Sequence, residues 1–399
     1  MDNLTPKFII KKNLQKSKQT GIYFSDVITE DILKDICIKI TGSENFEYEF
    51  VDNEYEDEFL LPSYNKGRLV IFKYNFKIAY ISFSEVNITS RNSSLQSVPT
   101  AFNTFFKNSF TNKELYYYFI VKSGNAETPY HSFIYRLMKT IGFKFLNGPD
   151  NVKELNAFSS LEDIMTARKT NTSSKRNNNS TYITKSSKNN YDILGKTYGT
   201  NKYETSIICY ALSFLARKNQ ILTLYEVTDN GLSALPESSR EVLNLLGNIR
   251  VTATNITLEK SNFAKTNILR SPKYVFNLLE RLGDKKCAFC NCAIPEIIQG
   301  AHIWPIAQIK KDSSLTDDEK FAHAISKDNG LWLCQNHHKL FDENTIQIQE
   351  NREIIYSSDL SEEDLDYLNE ITKVSEILED YLNDNTVYYL RRRNSTIFI

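Results

Sequence analysis

The chain has 399 residues, 41% of them hydrophobic and 24% charged, with a formal net charge of −1. This length allows two or three domains with their own cores, and the balance is that of an ordinary soluble globular chain. The charge by itself argues neither for nor against nucleic acid, so any DNA affinity must come from local patches. The longest uncharged apolar stretch, SIICYALSFLA from Ser206, is far short of the roughly 20 residues that a membrane span needs. The first residues are cationic without an apolar h-region, so no secretory signal is expected and a cytoplasmic location is. Thiols stay reduced there, which makes a Cys-x-x-Cys pair a metal or redox site rather than part of a disulfide framework.

In chain order, residues 1–157 read as a compact mixed α/β region. TEDILKDICIKITG offers Thr29 as N-cap, apolar residues at Ile32, Leu33, Ile36, Cys37 and Ile40, and Gly42 as a stop, the pattern of an amphipathic helix. GRLVIFKYNFKIAYISFSEV reads as a hairpin turning near Tyr74 and Asn75. NKELYYYFIV and YHSFIYRLMKTIG are expected to be helices, the second ending at Gly142. Residues 158–192 hold a segment, Met165 to Tyr191, rich in Ser, Thr and Asn, with six Lys or Arg and no acid. It is expected to be mobile, either as a solvated linker or as a cationic arm that folds onto phosphates with Lys175 and Arg176 among its contacts.

Residues 193–270 form a second α/β part, with a helix from about Glu204 to Arg217, a strand ILTLYEV and a helix around ESSREVLNLLGN. GKTYG lacks the first glycine of a phosphate loop and reads as a tight turn. Lys196, Tyr198, Lys202 and Tyr203 around it are candidate DNA contacts. From residue 271 to 399 the chain opens with a well-punctuated helix, Ser271 as N-cap, Pro272 next and Gly283 at the stop. SEEDLDYLNEITKVSEILEDYLN is expected to form one acidic amphipathic helix. The closing Arg391, Arg392 and Arg393 are either solvated or phosphate-holding.

Four of the six cysteines and four of the five histidines fall between Cys287 and His338. Cys287 and Cys290 in CAFC, and Cys334 and His337 in CQNH, are two ligand-spaced pairs that suit one closed, structural zinc site. Cys292 is a possible substitute ligand. His302, in GAHIWP, reads as lying on a short strand stopped by Pro305, and Asn329 precedes a second strand with alternating Leu331 and Leu333. His338 and Asp342 are four apart, so on a helix they project from one face. His323 is expected on an exposed helix, and His131 in packing.

The stretch from Cys287 to Asn344 resembles the HNH nucleases: zinc knuckles, an AHI-x-P strand, an NGL-x-LC strand and an HH-x-x-FD helix occur in that family's order. The resemblance implies an α+β chain, with a mixed α/β N-terminal DNA-recognition region followed by a C-terminal, zinc-stabilised ββα-metal (HNH) nuclease domain. It implies His302 as general base, Asn329 orienting that imidazole or leaning toward the metal, and His338 and Asp342 holding Mg²⁺ or another divalent ion. Lys339 is a candidate DNA contact. Ala301 stands where many of these nucleases have an acidic metal ligand. A more diffuse resemblance to bacterial type II restriction endonucleases implies sequence-specific cleavage of double-stranded DNA by a homodimer, a methyltransferase encoded nearby and no membrane. The alternatives are a phage-defence effector nuclease without intrinsic specificity and a zinc-stabilised DNA-binding protein that has lost cleavage.

Overall fold

A computed structural model describes residues 5–12, 23–51, 69–84, 95, 97–120, 129–148, 150–170, 181–197, 199, 201–228, 235–254, 256–265 and 271–395. The chain divides into two compact units. One comprises residues 1–171, 196–222 and 233–250, and the other residues 172–195, 223–232 and 251–399. No helix among the described residues is long and apolar enough to cross a membrane.

The first unit is built on a six-stranded sheet of β1 (Lys7–Lys11), β2 (Glu47–Val51), β3 (Leu69–Tyr74), β4 (Lys77–Phe83), β5 (Lys113–Tyr118) and β6 (Lys144–Phe145), in the order β2-β1-β3-β4-β5-β6. The expected helix runs Glu30–Thr41, its Thr29 hydroxyl accepting from the Ile32 N–H and Gly42 taking the left-handed conformation that ends it. Leu33, Ile36 and Cys37 bury its apolar face among Phe8, Ile10, Val70 and Phe72. The β3-β4 hairpin turns at Asn75 and Phe76, both at positive φ, the conformation that tight two-residue turns demand.

KELYYY is not helical but forms β5, running parallel to β4 with both of its faces buried. Three consecutive tyrosines favour a pleated, packed surface over a helix, and sheet pairing overrode the helical reading. The helix expected before Gly142 spans Pro129–Thr140. The one expected from Glu204 spans Asn201–Leu215.

In the second unit a four-stranded sheet has the order β10-β9-β8-β7, from β7 (Thr181–Lys185), β8 (Asn190–Lys196), β9 (Ile221–Val227) and β10 (Ile249–Thr254). The later part of the basic segment is therefore an antiparallel hairpin, not a mobile arm. Tyr182, Tyr191, Ile193 and Leu194 give it the apolar surface that ordering needs, and Lys185 pairs with Glu296 at 3.2 Å. Lys175 and Arg176 lie outside the described residues.

The helix Pro272–Leu282 begins as expected, with the Ser271 hydroxyl accepting from the Tyr274 N–H at 3.2 Å. It packs on a two-stranded ribbon of β11 (Ile298–Ala301) and β12 (Leu331–Cys334), which pair antiparallel with Gly300 opposite Trp332. Two short helices, Ile306–Lys311 and Asp317–Ile325, fill the connection between them. The helix Gln335–Asp342 follows β12 directly and packs back on both strands. A small hairpin of β13 (Ile346–Ile348) and β14 (Ile354–Tyr356) comes next.

The acidic stretch expected as one helix stops after Glu362–Ile371. Beyond it the Ile354 N–H donates to the Ser375 carbonyl, Glu353 bridges Glu376, and Ile377 is buried. Strand-like pairing and one buried isoleucine there outweigh helical propensity. A final helix, Asp384–Asn394, is capped by the Asn383 side chain.

Candidate active site and zinc centre

Cys287, Cys290, Cys334 and His337 bring one ligand atom each to within 4.8 Å of one another. Cys287 Sγ and Cys334 Sγ lie 3.5 and 3.2 Å from His337 Nδ1, and the Cys290 and Cys334 sulfurs are 4.0 Å apart. A tetrahedral zinc with bonds of about 2.3 Å to sulfur sets sulfurs about 3.8 Å apart, so these residues fit the ion. His337 Nε2 faces the Thr372 hydroxyl at 3.3 Å, the outer contact that fixes a ligating ring. The helix break at Thr372 thus has a use. Burial pushes the Cys287 thiol up to about 12 and raises that of Cys290, so a thiolate there needs a cation beside it. Cys292 stays out of the quartet, and its carbonyl accepts from the Cys287 N–H at 2.9 Å.

His337 and His338 are consecutive on the helix, about 100° apart around its axis, and so face different sides. His337 is buried toward the zinc quartet, whereas the His338 side chain keeps 23% of its surface exposed. One turn on, the Asp342 carboxylate lies 3.4 Å from His338 Nε2. His338 Nδ1 meets the Gln299 side-chain oxygen at 3.0 Å. With Nδ1–H donating there, the Nε2 lone pair faces Asp342, and the two atoms form a pair suited to a hard cation with affinity for oxygen and imidazole.

His302 follows β11 immediately. Its Nε2 lies 2.9 Å from the Ala324 carbonyl. A carbonyl can only accept, so Nε2 carries the hydrogen and Nδ1 keeps the lone pair. Ala324 sits in the last turn of the helix Asp317–Ile325, where carbonyls lack an intrahelical donor. The Tyr274 ring lies flat on the imidazole, centroids 4.2 Å apart and planes 11° from parallel. Burial lowers the His302 pKa to about 4, against the opposing pull of the Ala324 hydrogen bond, and the nearby His338 lowers it further.

Asn329 was expected to touch this ring or the metal; instead it clamps the backbone on either side. Its Oδ1 accepts from the Trp304 N–H at 2.7 Å, and its Nδ2 donates to the Trp304 and His323 carbonyls at 3.2 and 3.1 Å. Fully buried, it ties the segment after His302 to the helix that supplies Ala324. Tyr274 adds a second tie, its hydroxyl donating toward the Asn329 and Ala301 carbonyls at 3.1 and 3.3 Å. This close approach requires Gly330, where a Cβ would stand 2.1 Å from the Tyr274 oxygen.

Ala301 is buried in the core. Among the described residues the quartet is the one group of three or more possible metal ligands, so His338 and Asp342 stand as a pair. Lys339 is exposed and paired with Glu343. Lys196 ends β8, and Lys202 and Tyr203 occupy the first turn of the helix Asn201–Leu215. Tyr203 is buried, with the Lys202 amine 5.5 Å above its ring. Tyr198 lies outside the described residues. His323 Nδ1 meets the Tyr389 hydroxyl at 3.0 Å, and His131 is buried beside Tyr135.

Gln299 and Tyr274 escaped the sequence reading. Gln299 left one trace, a polar residue in an otherwise apolar strand; Tyr274 left none, because its partner is 28 positions away.

No curated protein matches the chain. Residues 287–349 match the family model described as HNH endonuclease, and with the cysteine-histidine quartet this match supports a metal-dependent nuclease domain whose substrate is DNA.

Proposed function

We propose that the protein is an endonuclease that hydrolyses phosphodiester bonds of double-stranded DNA, with His302 as general base and His338 and Asp342 as ligands of a catalytic divalent ion. The observation that carries this reading is the 2.9 Å contact from His302 Nε2 to the Ala324 carbonyl, which leaves Nδ1 as the basic nitrogen. Burial keeps that ring uncharged at neutral pH, and the stacked Tyr274 limits its rotation. Nδ1 takes a proton from water as the water oxygen attacks phosphorus, and the 3′ oxygen departs.

Mg²⁺ or a similar ion, when bound, supplies positive charge to the phosphate oxygens and the leaving oxygen. The chain's part is to present two ligands: Gln299 sets the His338 tautomer, and the Asp342 carboxylate lies beside it. With Ala301 in the core, phosphate oxygens and water would have to complete the shell, which an oxygen-preferring ion would tolerate. Zinc belongs to the cysteine quartet and is structural. The clamping contacts make Asn329 a positioning residue.

We assign the activity to a sequence-specific type II restriction endonuclease. A nuclease module of this kind grips DNA mainly by its backbone, which positions without specifying, and a separate folded unit accompanies it. Lys175, Arg176, Lys196, Tyr198, Lys202 and Lys339 are the proposed DNA contacts; Tyr203, expected among them, is buried and packs instead. One base and one ion attack one phosphodiester, so cutting both strands calls for a homodimer on a palindromic site. A methyltransferase encoded nearby would protect host DNA. Digestion of plasmid DNA decides the class: discrete fragments support the restriction enzyme. Smearing that requires an activator points to a defence effector, and a gel shift without cutting to a binding protein.

A further inference from the structure

Arg391, Arg392 and Arg393 close the final helix, beyond the residues that match the HNH family model. Two of them point outward. Arg391 forms a two-pronged pair with Glu350 at 3.0 and 2.8 Å, and Arg392 pairs with Asp312 while lying 4.4 Å over the Trp304 ring. Neither is a loose cation awaiting phosphate. Arg393 turns inward and is only 1% exposed.

Its guanidinium joins two places that the reaction must hold together. Nη1 donates to the Ile303 carbonyl at 3.0 Å, one residue after His302. Nη2 donates to the Phe341 carbonyl, one residue before Asp342, and to Asn344 Oδ1 at 2.7 Å. The guanidinium plane stacks 3.9 Å from the Phe341 ring. Asn344 adopts positive φ just past the helix end, which brings its side chain back to the arginine.

Burying a cation is costly, so the position calls for a reason. The helix geometry supplies one. Asp342 ends the helix Gln335–Asp342, whose last carbonyls lack intrahelical donors and carry partial negative charge. Arg393 places its guanidinium at that terminus; burial lowers its pKa to about 10, and the nearby Asp342 offsets part of that.

We propose that Arg393 is a positioning residue of the nuclease site, fixing the distance between the His302 segment and the His338–Asp342 pair. This rests on the reading of His338 and Asp342 as metal ligands. The test uses the full chain and its Arg393→Met, Arg393→Lys and Asn344→Ala variants, each checked for zinc content and cooperative unfolding. Mn²⁺ binding is followed by electron paramagnetic resonance, and plasmid cleavage is followed at varied Mg²⁺.

Arg393→Met is expected to weaken Mn²⁺ binding and lower kcat by about 10- to 100-fold, the scale of losing an outer contact to a metal site, with zinc content and KM for DNA unchanged. Added guanidinium should restore part of the loss. Arg393→Lys, with the charge but not the fork, should fall between. Wild-type Mn²⁺ affinity and kcat in Arg393→Met would overturn the inference. Should that variant lose zinc or fail to fold, wild-type values in both Arg393→Lys and Asn344→Ala would overturn it. Mn²⁺ binding that survives Asp342→Ala overturns the metal reading and this inference with it, so the two failures are distinguishable.

Discussion

The proposed role of His302 as base rests on its surroundings, and the pH profile should report them. Desolvation by the packed protein outweighs the hydrogen bond that His302 donates to the Ala324 carbonyl and holds the ring pKa at about 4. The neutral, proton-accepting form is present above that value and lost as pH falls through it. The acid limb of kcat/KM, which reports the free enzyme, should therefore lie well below the ordinary histidine value of about 6.5. A limb at or above 6.5 would contradict the site. Tyr274 bears on the same ring through its stacked face and through its hydroxyl's tie to the Asn329 and Ala301 carbonyls: Tyr274→Phe loses only the tie and should retain more activity than Tyr274→Ala, which should lose about 10-fold or more, as expected when a catalytic group is no longer held in place. Equal rates for the two variants would remove the stack from the account. In the sequence, His338 and Asp342 are marked as candidates by their four-residue spacing, and His302 by the resemblance to the HNH nucleases. Gln299, Tyr274 and Arg393 are not, because each acts through a partner that only the folded chain brings near.

At the scale of elements, the cysteine-histidine quartet ties short pieces together: β11, β12 and the helix Gln335–Asp342 are short, and ligand residues from before β11, the end of β12 and the helix meet at one end of the ribbon. Metal binding energy is then folding energy. Cys287→Ser and Cys334→Ser should lose zinc and cooperative unfolding together; full stability after chelation would sink the structural assignment. Thr372→Val removes the partner of His337 Nε2 and should weaken zinc binding by about 10- to 100-fold, measured by competition with a chelator. Most of these elements could be read from capping and periodicity, as Thr29, Gly42, Ser271 and Gly283 show. KELYYY and the stretch around Thr372 could not, since sheet pairing with β4 and β14 decided them, and such partners leave no local signal. The basic hairpin at Thr181–Lys196 was hidden by its polar composition, although its alternating Tyr and Ile residues were present.

At the scale of the molecule, the nuclease unit is not one run of sequence. Tyr182, Leu194 and Val227 share a core with Phe276, and Tyr182 meets that ring edge-on at 5.2 Å. A fragment starting at residue 271 should thus be less stable to urea than the same unit within the full chain. The deficit should be several kcal/mol, given about 1.5–3 kcal/mol for each large apolar side chain exposed. Equal midpoints for zinc release would contradict this. The central claim, that His302 performs the chemistry in a metal-dependent nuclease, is tested most directly by supercoiled plasmid incubated with Mg²⁺ and either the wild-type chain or His302→Ala at equal zinc content. The account predicts nicked or linear product from the wild type and a rate lower by about 10²-fold or more from the variant. Cutting by both at the same rate would contradict it.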